Sequence, residues 1–205
     1  TFNGKLLRNS FAMYHVDPDH KERGFLTEDE IQALSTISLD NPNFALARDL
    51  FLFGCWTGIS FTDIKTLTTD NIVEMNGASW IVSKRQKTGV PFQIKLMDIP
   101  MQIIRRYEPF RRDKRLFNIG SLDMVNKRIK AVAKKCGIEK PVSFHLSRHS
   151  FAVLALNYGM PIESVSKILG HTNITTTQIY AKVTNAKLEN DISAFESKIS
   201  GRFVL

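Results

Sequence analysis

Only one stretch of this 205-residue sequence has the residue pattern of β-structure, and that stretch is short. Residues 71–84 hold two β-prone runs separated by Asn76-Gly77, the dipeptide typical of a tight type I′ hairpin. After the segment RQKTG, apolar residues alternate at positions 90, 92, 94 and 96, which predicts a third strand. Three short strands form only a small antiparallel sheet, so other elements must build most of the core.

The remaining segments have the patterns of α-helices. Thr27 and Glu30 have the spacing of a capping box, which predicts that a helix begins there. Asn41-Pro42 precedes a strongly apolar helix that ends near Gly58, and everything after Pro100 has helical patterning, including helices over 121–136, about 173–183 and 186–199. The expected fold class is therefore mainly α with a small three-stranded antiparallel β-sheet.

The charge balance points to a polyanionic partner. Lys and Arg outnumber Asp and Glu by 28 to 20, which gives a net charge of +8, and nucleic acid is the commonest partner of such a chain. The helix over 121–136 carries a basic face that is a candidate for following a DNA backbone, although a solvated face is the commoner explanation. The candidate DNA-binding residues on this face are Lys127, Arg128, Lys130 and Lys134.

Several classes of protein are disfavoured. Cys55 and Cys136 lie in apolar helical patterns and no CxxC is present, which indicates reduced cysteines and no zinc site. No apolar run approaches the roughly 20 residues that span a bilayer, and no signal peptide is visible. We expect a cytoplasmic protein that needs no metal or cofactor and does not associate with a membrane.

Four segments carry polar residues that together suit phosphate chemistry. Each is ordinary alone: Lys87 in a hairpin, His145 and Arg148 three residues apart, His171, and Tyr180 nine residues later. A phosphodiester can be cut without metal by a nucleophile, cations around the non-bridging oxygens and an acid for the leaving 5′-oxygen. Tyr180 suits the nucleophile, Arg148 offers a planar charged fork, the histidines donate hydrogen bonds or move protons, and Lys87 suits the acid.

Residues 144–183 resemble the active-site region of the tyrosine recombinases, the phage integrase family. The family pattern of His-x-x-Arg, Leu-Gly-His and a tyrosine nine residues later is matched by His145, Arg148, the segment 169–171 and Tyr180. RQKTG resembles the family's hairpin lysine segment, which assigns that role to Lys87. The resemblance runs from about residue 27 to 182, and it implies the fold of the recombinase catalytic domain.

One position departs from the family pattern. The segment TGISFTD matches at Thr57, Gly58 and Asp63, but Ser60 stands where the family has a second phosphate-binding arginine. A serine hydroxyl cannot replace a guanidinium charge. Arg48, in the apolar run before this turn, is our candidate for the replacement. The alternative is a structural arginine, exposed or paired with Asp49 or Asp63, and we expect Asp63 to support the site.

The resemblance implies a site-specific recombinase of the kind found in conjugative transposons and other mobile elements. Several integrases of conjugative transposons lack the usual arginine. Such an enzyme cuts and rejoins double-stranded DNA attachment sites through a 3′-phosphotyrosyl intermediate, for integration or excision of the element. It acts as a homotetramer, with possible exchange of the C-terminal helix and with accessory DNA-bending factors, on the nucleoid of a bacterium. Residues 1–24 are then expected to be a linker from a core-binding domain, and residues 25–205 the catalytic domain.

Two alternatives remain open at this point. A type IB topoisomerase uses the same tyrosine chemistry to relax supercoils, although the Leu-Gly-His segment and its spacing disfavour it. A DNA-binding protein that descends from a recombinase and has lost catalysis is favoured by Ser60 and opposed by the five matching polar residues.

Overall fold

A computed structural model describes residues 24–181 and 185–200, with the backbone alone for 185–190. The helices are α1 (Glu28–Thr36), α2 (Pro42–Thr57), α3 (Phe61–Thr66), α4 (Asp98–Tyr107), α5 (Leu122–Lys135), α6 (Phe144–Asn157), α7 (Ile162–Leu169), α8 (Thr175–Gln178) and α9 (Asn185–Ile199). The strands are β1 (Ile72–Met75), β2 (Ala78–Lys84) and β3 (Pro91–Lys95), in one antiparallel sheet of order β1-β2-β3. The predicted fold class is confirmed.

The first two helices begin where their capping residues predict. The Thr27 hydroxyl accepts from Glu30 N at 3.3 Å, and the Glu30 carboxylate accepts from Thr27 N at 2.7 Å, which completes the capping box of α1. Asn41 caps α2 and Pro42 occupies its first turn, where a missing N–H costs nothing. Gly58 ends α2 in the left-handed conformation at φ 65°.

The sheet is built around its middle strand. Ile81 of β2 lies opposite Ile72 of β1 and Ile94 of β3, and alternate β3 residues, Phe92 and Ile94, are buried. The turn after β2 closes through Arg85 N to Val90 O and Gly89 N to Arg85 O, both at 2.8 Å. Residue 85 is therefore fixed at the base of this turn while the residues at its tip are exposed.

The core has two parts joined by α6. The larger part surrounds α2, which packs on α4, α5 and α6. Gly54 permits the close approach to α6, because a Cβ there would lie 2.3 Å from Ser147 Oγ. The smaller part joins the second half of α6 to α7, and Tyr180 packs against it.

The predicted helix over 173–183 is wrong in length. Helix α8 has one turn, Thr175–Gln178, and Tyr180 follows it in a turn, with residues 182–184 outside the described part. Asn173 Oδ1 accepts from Thr175 N at 2.9 Å and starts the turn. The run of β-branched threonines then supports a helix poorly, since such side chains lose rotamer freedom there.

Two further expectations concern the cysteines and the N-terminal segment. Cys55 is buried but Cys136 is only half-buried, and both are free thiols. The proposed linker, residues 1–24, lies outside the described residues except for Gly24. In the part that the structure describes, none of the helices has the length and apolarity to cross a membrane.

Candidate functional site

Helix α6 presents three polar residues of the site from its first two turns. His145, Arg148 and His149 lie three and four residues apart and so share one side of the helix. The start of the helix is anchored by Phe144 N, which donates to Asn126 Oδ1 of α5 at 2.7 Å. His145 is exposed, Arg148 is half-buried and His149 is 3% exposed.

The Arg148 guanidinium is held at three points. Its Nη1 donates to Gly58 O at 2.7 Å, and its Nη2 donates to Leu169 O and lies 3.1 Å from His171 Nε2. Gly58 O is within reach because this backbone lies against α6, where a Cβ at Gly58 would be 2.6 Å from the Phe151 ring. The contacts gather the ends of α2, α6 and α7 around one guanidinium.

Arg85 holds the position next to Ser60 that the sequence leaves without a guanidinium. Its Nη1 lies 2.9 Å from Asp63 Oδ2, and Asp63 also accepts from Gln86 N at 2.8 Å and from Ser60 Oγ at 2.8 Å. Ser60 is the N-cap of α3, with its Oγ 3.3 Å from Asp63 N. The serine therefore caps α3, and the Asp63 carboxylate holds the Arg85 guanidinium.

The carboxyl end of α7 joins the two guanidiniums. Arg85 Nη2 donates to Ile168 O, and Arg148 Nη2 donates to the next carbonyl, Leu169 O. These carbonyls are at the negative end of the helix, which favours cations. Gly170 ends the helix at φ 65°, and a Cβ there would lie 2.8 Å from Arg85 Nε. Two consecutive carbonyls thus place two like charges side by side.

The proximity of the two cations affects their protonation. Burial lowers the pKa of Arg148 to about 10, with Arg85 adding to the effect and Tyr180 and Asp63 opposing it. Burial likewise lowers the pKa of Arg85, opposed by Asp63. Arg148 remains protonated at pH 7. Because Asp63 ion-pairs with Arg85, and Arg148 has no carboxylate as a direct partner in the described part of the chain, the site carries excess positive charge.

His171 is held between Arg148 and α8. Its Nδ1 lies 2.8 Å from Oγ1 of Thr177, a residue with no exposed surface. Burial, together with the charges of Arg148, Arg85 and His145, lowers the pKa of His171 to about 4. The imidazole is therefore neutral at pH 7.

Tyr180 lies at the edge of this cluster, in the turn after α8. Its N–H donates to Thr177 O at 3.0 Å, and its half-buried ring stands perpendicular to the His149 ring at 4.9 Å. The His145 ring lies 4.5 Å from the His149 ring, so His149 contacts both His145 and Tyr180. The structure thus brings together Tyr180, His145, Arg148 and His171 as predicted.

The structure corrects the prediction for Arg48. This arginine is buried, lies 2.5 Å from Asp49 Oδ1, and donates to the carbonyls of Leu34, Ser35 and Ile37 at the end of α1. It also precedes Gly58 by ten residues of helix, which is about 15 Å. The arginine beside Asp63 is Arg85, from the turn after β2, and Arg48 of α2 serves the end of α1 instead.

The other predicted residues lie outside the cluster. Lys87 is exposed on the turn two residues beyond Arg85. Lys127, Lys130 and Lys134 are exposed on α5, and Arg128 is half-buried there. Sequence reasoning missed Arg85, although it lies in the quoted segment RQKTG, two residues before Lys87. In the described residues, no group of three or more His, Cys, Asp or Glu side chains is arranged to hold a metal ion.

The chain is similar to known proteins along most of its length. The model of the phage integrase family matches residues 24–187. Tyrosine recombinase XerD of Listeria innocua is 30% identical over 153 residues, which are 69% of this chain and 52% of that protein. XerD of Oceanobacillus iheyensis is 24% identical over 201 residues, which are 90% of this chain and 67% of that protein. The chain thus spans about half of the Listeria protein.

Solved structures show the same fold. The XerH site-specific recombinase bound to its difH substrate after cleavage gives a TM-score of 0.68 at 20% identity, over 84% of this chain and 52% of that one. The Tn1549 transposon integrase in complex with transposon right end DNA also gives 0.68 at 20% identity, over 87% and 68%. The catalytic domain of bacteriophage HP1 integrase gives 0.61 at 23% identity, over 83% and 94%.

Proposed function

The chain belongs to the phage integrase family, and we propose that it is the catalytic domain of a site-specific recombinase that cuts and rejoins DNA through a 3′-phosphotyrosyl intermediate. One observation carries this proposal. Two guanidiniums, Arg85 and Arg148, lie side by side at the end of α7. Asp63 pairs with Arg85, Arg148 pairs with no carboxylate among the described residues, and Tyr180 lies at the edge of the cluster. This excess positive charge suits the binding of a DNA phosphate next to the tyrosine.

The scissile phosphate would bind to Arg85 and Arg148. Each guanidinium carries five N–H donors, and phosphate oxygens are stronger acceptors than the carbonyls of residues 168 and 169 that they now contact. Asp63 holds Arg85 in place through Nη1, so the fork stays oriented when its other edge turns to the phosphate. In this proposal Arg85 replaces the arginine that the family has at the position of Ser60.

Tyr180 would attack the phosphorus atom. The free phenol has a pKa near 10, so its proton must pass to a neutral imidazole of the site while Arg148 stabilises the phenolate. The Tyr180 Oη–P bond forms, the P–O5′ bond breaks, and the 5′-oxygen takes a proton from Lys87. Lys87 suits this role because its turn is anchored at Arg85 and exposed at its tip.

The phosphotyrosyl bond keeps the energy of the broken phosphodiester. A 5′-hydroxyl from a second DNA site reverses the step, so strand exchange consumes no nucleotide cofactor. The resemblance to integrases of conjugative transposons suggests that the exchange integrates or excises a mobile element on the bacterial nucleoid. Residues 25–205 would supply this chemistry, and residues 1–24 would connect it to a core-binding domain.

Recombination would take place in a homotetramer on two attachment sites, with accessory DNA-bending factors. Helix α9 supports an exchange of C-terminal helices between copies, because its Ile192 and Phe195 are 56% and 62% exposed. Helix α5 would follow the DNA backbone, because phosphate contacts position a protein without reading the DNA sequence. The basic residues that would make these contacts are Lys127, Arg128, Lys130 and Lys134.

A selection for covalent attachment tests the function directly. The full-length protein is incubated with a library of nicked duplexes of randomised sequence, and DNA that stays attached after denaturation is recovered and sequenced. We expect enrichment of one inverted-repeat sequence and loss of all adduct in Tyr180→Phe. The matched control is Tyr158→Phe, which removes an exposed tyrosine hydroxyl that contacts Glu28 and should leave the adduct unchanged.

The other outcomes identify the alternatives. Sequence-specific binding without any adduct from the wild-type protein would contradict the proposal and indicate a recombinase that has lost catalysis. Adduct formation without sequence enrichment, together with relaxation of supercoiled plasmid, would indicate a topoisomerase instead.

A further inference from the structure

Thr177 lies beneath His171 and has no role in the function proposed above. It is completely buried, its N–H donates to Ile174 O at 2.7 Å, and its Oγ1 lies 2.8 Å from His171 Nδ1. On the opposite edge of the same ring, His171 Nε2 lies 3.1 Å from Arg148 Nη2. Both ring nitrogens of His171 therefore have a partner, the Thr177 hydroxyl at Nδ1 and the Arg148 guanidinium at Nε2.

The contact with Arg148 shows which nitrogen of His171 carries the proton. A guanidinium has N–H donors and no acceptor, so in the contact with Arg148 the Nε2 atom of His171 must accept. A neutral imidazole whose Nε2 accepts carries its hydrogen on Nδ1, and Nδ1 therefore donates to Thr177 Oγ1. An imidazolium would turn an N–H towards Arg148, and the low pKa of about 4, set by burial and by Arg148, Arg85 and His145, agrees with the neutral form.

We propose that Thr177 is a positioning residue that keeps His171 in the Nδ1-protonated tautomer, so that Nε2 first orients Arg148 and then accepts the phenol proton of Tyr180. This role rests on the proposed function. Both hydrogens of Arg148 Nη2 are engaged, by Leu169 O and by His171. A phosphate oxygen that binds Nη2 therefore displaces one of these acceptors, and displacement of His171 releases the lone pair of Nε2.

The proton balance then closes within the site. The Tyr180 O–H bond breaks, the Nε2–H bond of His171 forms, and the phenolate attacks phosphorus as the P–O5′ bond breaks. The bound phosphate offsets the charges of Arg148 and Arg85, which raises the basicity of His171 at the step that needs it. On resealing, His171 returns the proton to the departing phenolate. The opposite tautomer could not do this, because its Nε2 already carries a hydrogen.

Nitrogen-15 NMR of the histidine ring tests the tautomer without any DNA. At pH 7 we expect a protonated Nδ1 and an unprotonated Nε2 for His171, assigned by comparison with His171→Gln. In Thr177→Val, a variant of the same shape without the hydroxyl, a hydrogen on Nδ1 has no acceptor, which opposes the preference set by Arg148. We therefore expect a mixture of tautomers in this variant. Thr177→Ser should restore the wild-type signature, and Thr176→Val, which changes the exposed neighbour, should not alter it.

The covalent-adduct assay tests the consequence for the reaction. Thr177→Val should form adduct about tenfold more slowly, with unchanged DNA affinity, since a buried donor is left without its acceptor, and Thr177→Ser should recover the rate. A protonated Nε2 in the wild-type protein, or an unchanged tautomer and adduct rate in Thr177→Val, would overturn the proposal. Absence of any adduct from the wild-type protein would instead contradict the proposed function, while the NMR result would still decide the tautomer.

Discussion

The described part of the chain contains two buried arginine–aspartate pairs that the sequence does not distinguish. Arg48 and Asp49 lie in the first half of α2, and Asp49 also binds Arg106 at 2.7 Å and the Tyr107 hydroxyl at 2.8 Å. Arg85 and Asp63 lie at the junction of the sheet with α3 and α7. The two arginines are similarly buried, at 8% and 6% exposure.

The difference lies in what surrounds each pair. The Arg48 guanidinium contacts a carboxylate and three carbonyls at the end of α1, so its donors are occupied by the protein itself. Arg85 shares one helix end with Arg148, whose charge no carboxylate pairs directly in the described residues. Burial of an arginine alone therefore indicates structure, and it indicates an anion site when a second, uncompensated cation lies beside it.

The largest expected effect separates the two pairs by activity. Arg85→Ala removes one of the two cations around the phosphate, so adduct formation should fall by about 10²–10³-fold, as for the loss of an oxyanion-hole donor. Arg48→Met removes no contact to the phosphate and should leave the rate of the folded protein within about twofold, because the arginine acts on stability alone. Both variants are assayed on the DNA recovered by the covalent selection.

A second-site substitution controls for indirect damage. Ser60→Arg restores the family's usual residue, and in the Arg85→Ala background it should recover part of the lost rate. Equal losses of activity in Arg85→Ala and Arg48→Met, with no recovery by Ser60→Arg, would contradict the claim that only Arg85 of these two arginines binds the phosphate.

The second effect separates the pairs by stability. Arg48→Met leaves the buried Asp49 with fewer partners, and loss of one member of a buried pair costs about 3 kcal/mol of the free energy of unfolding. Arg106→Met removes a half-exposed partner of the same carboxylate and should cost less than about 1 kcal/mol. Urea unfolding followed by circular dichroism measures both. A larger loss of unfolding free energy in Arg106→Met than in Arg48→Met would mean that the half-exposed Arg106 is the main partner of Asp49.

Much of the fold follows from local patterns in the sequence. The capping box at Thr27, the N-cap and proline at Asn41-Pro42, and the hairpin at Asn76-Gly77 each act over a few residues, and each predicted element is present. The order of His145, Arg148, His171 and Tyr180 also predicted one site, because their motif spacing is specific.

The residues that the sequence misassigned depend on contacts between distant segments. Arg85 contacts Ile168, which is 83 residues away in the chain. Its side chain passes close to Gly170, which leaves room because it has no Cβ. Nothing near Arg85 in the sequence encodes that approach. Arg48 attracted attention because an arginine in an apolar run needs a partner, but the carbonyls at the end of α1 supply it. A local pattern can show that a charge needs compensation without showing what provides it.

The position of the scissile phosphate tests the central claim most directly. A crystal structure of the full-length Tyr180→Phe protein, bound to the DNA recovered by the covalent selection, would show that phosphate uncut. The account predicts its non-bridging oxygens at about 2.7–3.1 Å from nitrogens of both Arg85 and Arg148. A phosphate that contacts Arg148 while Arg85 remains bound only to Asp63 and Ile168 would contradict the account, and the charge missing at Ser60 would then have to come from elsewhere.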